Sequence, residues 1–160
     1  MLYLFIFQNI QFSNSANIIK IAVILAAGIS CSVQDYKEQK VSDIKIFLSS
    51  LIILICNFFL KNWYLYIISS IIMFAVYYST KKIMKYKLGK GDIYFAVLIG
   101  LSLLPDKAVL SIIISVVLSG LYFGIIKIAK KKEQKQIAFI PFMTASLFIC
   151  YFIQIIKPGI

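Results

Sequence analysis

The chain has 160 residues, 61% of them hydrophobic, with a mean hydropathy of +0.92. A soluble domain is about 45–50% apolar, so this composition points to an integral membrane protein with almost no chain left for a soluble domain. The net charge of +11 comes from 17 lysines against six acids, without arginine or histidine; that removes bidentate arginine clamps, histidine bases and histidine metal sites, and the lysines cluster between apolar runs, where they orient spans rather than bind nucleic acid.

The first twelve residues are apolar but too short to cross a bilayer, which takes about 20. They have no basic flank, so they read poorly as a signal peptide. The polar run at 13–17 predicts a break, and residues 1–17 are expected to form an interfacial or re-entrant segment. The remaining residues, 18–160, read as an all-α polytopic domain of about six transmembrane helices. The predicted spans are 18–34, 44–60, 63–80, 91–104, 108–128 and 137–156.

Charge alternates across the connections. Segments 35–45, 81–90 and 127–135 carry three, five and five lysines. The opposite connections carry only Lys20, Lys61, Lys107 and Lys157. The positive-inside rule places the lysine-rich segments in the cytoplasm. Lys20 is read as an anchor at the outer surface. Cys31, Cys56 and Cys150 are far apart and form no Cys-x-x-Cys, so they read as small buried hydrophobes and no metal site is expected.

Two carboxylates stand where lysine-bearing loops meet apolar spans. Asp35 closes the first span, and Asp92 opens the fourth within Gly89-Lys90-Gly91-Asp92. Acids inside membrane segments are expensive and are functional candidates by default. Both fall on the lysine-rich side, which the lysines alone define. Two carboxyls brought together can share a proton and activate a water, one accepting its proton while the other donates to a carbonyl. Asp92 opens a helix and Asp35 closes one, so helix partial charges predict Asp92 as the ionised partner. Gly89 and Gly91 permit positive φ and close backbone approach, which a plain cap does not require. The remaining acids have simpler roles. Asp43 reads as the cap of the second span, and Asp106 and Glu133 as solvated charges.

These residues resemble a known family. Gly89-Lys90-Gly91-Asp92-Ile93 is similar to the GxGD motif of the type IV prepilin peptidases. Segment 35–43 is similar to their first-aspartate motif, and Ile137-Ala138-Phe139-Ile140-Pro141-Phe142 to their late Ile-Pro-Phe-x-Pro-Phe motif. Ser42 and Ala138 stand where proline is common, and Tyr94 where a lysine often follows. The resemblance implies a multi-pass aspartyl endopeptidase of a prokaryotic cell membrane, without cofactor or metal. It would remove the short basic leader of prepilin-like or preflagellin-like proteins at the cytoplasmic face. Asp35 and Asp92 would be the catalytic pair. Gly89 and Gly91 would shape the approach to Asp92, and Pro141 would shape the substrate site. The cysteine-bearing methyltransferase domain of bifunctional members is missing, as in the short forms. The alternatives are a non-enzymatic membrane assembly factor, which would tolerate neutral acids, and a small carrier, which would hold them at mid-bilayer.

Overall fold

The computed structural model describes residues 2–60, 62–83, 89–128 and 138–156. Lys61, Lys85, Lys87, Lys130, Lys131, Lys132, Glu133, Lys135, Ile137 and Lys157 lie outside the described residues. Among the described residues six helices follow one another: α1 (Leu2–Glu38), α2 (Asp43–Phe58), α3 (Trp63–Ile83), α4 (Lys90–Ser102), α5 (Pro105–Ile128) and α6 (Ile140–Ile156). No strand occurs among the described residues. The protein is an all-α polytopic membrane protein. Among the described residues three stretches are long and apolar enough to cross a bilayer: Ser15–Glu38, Trp63–Ile83 and Pro105–Ile125. Helices α2, α4 and α6 have 16, 13 and 17 residues, short of the roughly 20 that a perpendicular crossing needs.

Two expectations change. Helix α1 passes unbroken through residues 13–17. A helix satisfies its backbone internally, so Ser and Asn there cost only propensity. Lys20 is not a surface anchor: its side chain is 1% exposed, inside the bundle.

Helix α4 is the inner helix. It packs on α3 most closely and also on α2, α5 and α6. Ile93, Phe95, Ala96, Leu98, Ile99 and Leu101 are all buried, as expected for a helix apolar on every side. By contrast α5 exposes Ile113, Val116, Val117, Leu121 and Phe123. An uninterrupted apolar face of this kind suits acyl chains and not water. Small residues let the helices close. A Cβ on Gly100 of α4 would lie 2.4 Å from Ser70 Cα of α3, so the two backbones touch, as at small-residue seams between membrane helices.

The seam between α1 and α6 is polar as well as tight. The Ser32 hydroxyl donates to Thr144 Oγ1 at 2.8 Å, and the Thr144 hydroxyl donates to the Gly28 carbonyl at 3.4 Å. Helix α1 then stops at Gln39, whose φ of 52° is left-handed and whose N–H donates to the Asp35 carbonyl at 2.9 Å. That ending turns the chain back into α2. The buried core contains Cys31, Cys56 and Cys150 as free thiols.

Candidate active site

Asp92 is the third residue of α4 after its N-cap, Gly89. Its Oδ2 accepts the Gly89 N–H at 3.1 Å. This is the carboxylate half of a capping box; Gly89 has no side chain to supply the other half. Gly89 has φ −64° and ψ 153°, and no described glycine has positive φ. Of the two things that glycine permits, positive φ and close approach, close approach is the one present here. A Cβ on Gly89 would stand 3.2 Å from Asp92 Oδ2, and one on Gly91 would stand 3.6 Å from Val41 Cβ.

Asp35 lies in the last turn of α1 and is 8% exposed. Its Oδ2 accepts the Ile140 N–H at 3.1 Å, and the Phe139 backbone interacts with it as well. Ile140 opens α6, so Asp35 satisfies backbone donors that the first turn of α6 leaves free. Pro141 follows directly, in the first turn, where its missing N–H removes no helical bond. Asp35 therefore ends one helix but faces the beginning of another. Helix ends do not distinguish the two acids as the sequence predicts, because each carboxyl meets a helix N-terminus.

The bundle brings the two acids to one end of the molecule, close enough for their charges to act on each other. Lys81 of α3 also acts on Asp92. Asp43 does not join them: it is exposed, one residue after the N-cap Ser42 of α2. The cap expected at Asp43 thus falls to Ser42, which makes no side-chain capping bond. Asp106 is exposed at the other end and pairs with Lys107 at 2.7 Å.

Sequence reasoning passed over Tyr77. It is buried, feels the charge of Asp92, and its ring tilts against Phe139 at 6.4 Å. It thereby bridges the helix that carries Asp92's neighbour Lys81 to the segment that donates to Asp35. Nothing in a chain with ten tyrosines separates this one from the interfacial aromatics. A groove of about 570 Å³ opens between α2 and α3 above Tyr94 and Val97 of α4. Asp43 is its lining carboxylate, and neither Asp35 nor Asp92 borders it.

The sequence profile described as the type IV leader peptidase family matches residues 22–124. The chain belongs to the type IV leader peptidase family. The match spans both acids and both glycines and ends before Pro141. This leader peptidase relative returns no match among curated proteins or solved structures. Family membership makes the protein a membrane peptidase.

Proposed function

We propose that the protein is an aspartyl endopeptidase that removes a short basic leader from prepilin-like or preflagellin-like substrates. The observation that supports this reading is that Asp35 and Asp92, from helices separated in the chain, lie near enough for the charge of Asp35 to act on Asp92, each carboxyl accepting a backbone N–H at a helix N-terminus. One carboxyl accepts a proton from water, which attacks the scissile carbonyl. The other donates a proton to that carbonyl, and the roles reverse as the amine leaves. Gly89 leaves the Asp92 side unobstructed, and Pro141 shapes the opening of α6 beside Asp35. The lysine-rich connections support a position for the acids at the cytoplasmic face of a prokaryotic cell membrane. The bilayer and the substrate are its partners.

The test is cleavage of a peptide made of a lysine-rich leader, a glycine and an apolar helix. Asp35→Asn and Asp92→Asn should each abolish cleavage while the protein stays folded, since an amide oxygen can still accept the Ile140 or Gly89 N–H. An assembly factor would tolerate both changes. Cleavage by either variant at a rate near wild type defeats the aspartyl mechanism. For orientation, a cysteine at Lys90 should be shielded from an external impermeant thiol reagent, and one at Asp106 should react; the reverse result would put the acids outside.

A further inference from the structure

At the end of the bundle remote from the acids, a buried polar cluster joins five helices or their ends. Lys20 of α1 donates to Asn57 Oδ1 of α2 at 2.9 Å and lies 3.7 Å from the centre of the Tyr66 ring of α3. Asn57 Nδ2 donates to the Leu101 carbonyl of α4 at 2.8 Å. Gln154 of α6 accepts the Leu104 N–H, just past α4, at 2.9 Å and donates to the Tyr66 hydroxyl at 3.4 Å. Lys20 has no carboxylate partner among the described residues. A buried cation is costly unless compensated. Its compensation here is an amide oxygen, a ring face and, through Asn57, the negative end of α4.

That location matters because α4 is short. Its 13 residues rise about 20 Å, against a hydrocarbon core of about 30 Å. Helix α4 therefore cannot reach both boundaries, and its far carbonyls must be met inside the bundle. Asn57 meets one of them. The same α1 that carries Lys20 carries Asp35, and the same α4 that is held at Leu101 begins beside Asp92. α1 packs on α2 and α6, while α4 packs mainly on α3 and α2. A polar tie running through α2 therefore links the two acid-bearing helices.

We propose that Lys20 is a positioning residue: through Asn57 it ties α1 to the far end of α4 and so sets the register in which Asp35 meets Asp92. The proposal rests on the reading of Asp35 and Asp92 as the working pair. Lys20→Met keeps the volume and removes the cation. Asn57→Asp keeps a partner for Lys20, as an ion pair, but removes the N–H that holds Leu101.

Two readouts separate register from mere folding. The first needs no substrate. Spin labels on cysteines placed at the exposed Glu38 and Lys90 report the α1–α4 distance at the acid end by pulsed electron resonance. Wild type should give one narrow distribution, and both variants a shifted or broadened one. The second is the kcat and KM split on the leader peptide. A misplacement of about 1 Å costs up to about a hundredfold, so kcat should fall about tenfold or more with KM within about twofold. Unchanged distances in both variants overturn the proposal. So does a change in Lys20→Met that Asn57→Asp does not share, because the tie then does not run through Leu101. Shifted distances in a protein whose wild type cleaves no leader peptide leave the tie standing and refute the peptidase reading instead.

Discussion

Gly100→Ala probes the contact on which the placement of Asp92 depends. The new Cβ would lie 2.4 Å from Ser70 Cα, 2.7 Å from Ser70 N and 2.9 Å from Ser69 C. Carbon atoms rest at about 3.5–4.0 Å, so the helices must part by about 1.1 Å or more. Overpacked side chains usually cost about 1–3 kcal/mol. Here the obstacle is backbone, which no rotamer change removes, so the cost belongs at or above the top of that range. Asp92 sits eight residues earlier on α4, and a shift of about 1 Å at a working group costs about a hundredfold in rate. Gly120 is the control: nothing lies within 4 Å of its added Cβ, so Gly120→Ala should stabilise α5 by about 0.8–1 kcal/mol from helix propensity. The buried thiols of Cys31, Cys56 and Cys150 report unfolding in detergent, because a thiol-reactive dye reaches them only when the bundle opens. Gly100→Ala should expose them at a lower temperature and cleave the leader peptide far more slowly than Gly120→Ala. Equal midpoints and equal rates for the two variants would falsify the α3–α4 contact as described.

Three further outcomes follow from the site. Thr144→Val keeps the shape of the α1–α6 seam but loses its bonds to Ser32 and Gly28; buried polar pairs in membranes contribute about 0.6–1.7 kcal/mol, so thermal unfolding should register a loss near 1 kcal/mol. Gly89→Ala should fold normally, since φ −64° and ψ 153° suit any residue, yet slow cleavage by crowding Asp92 Oδ2; a wild-type rate would show that the glycine serves something else. Asp43→Asn should remain active and Asp43→Ala only mildly impaired, since Asp43 is exposed beyond the N-cap and a favourable charge in a helix's first turn contributes about 0.3–1 kcal/mol, whereas losing acid–base catalysis costs about a hundredfold or more. An inactive Asp43→Asn beside an active Asp35→Asn would transfer the first aspartate's role to Asp43.

The all-α polytopic class and the approximate extents of the later helices were legible from hydropathy alone, because lipid accepts a polar backbone only when its hydrogen bonds close internally; the unbroken run of α1 through residues 13–17 was not. Asp35 and Asp92 were legible as candidates for a related reason. Lysine asymmetry sets which ends share a face, and acids at those ends are few. Which helix lies innermost was not legible, since α4 and α5 are both apolar throughout and only packing distinguishes a face on Ser70 from a face on lipid. Lys20 was misread because a single lysine before a span looks the same whether it meets headgroups or Asn57; its partners lie 37 and 46 positions away and meet it only when α1, α2 and α3 close together. The same holds for Asp35. Its place at the end of α1 follows from local sequence, but the α6 N–H groups that hold it come from a segment 105 residues later. Composition and periodicity act along one helix at a time and so determine the helices, their charged ends and the candidate acids. Contacts between helices depend on the shape of both surfaces at once, and these decided what the acids face, what the glycines admit and where the buried lysine points.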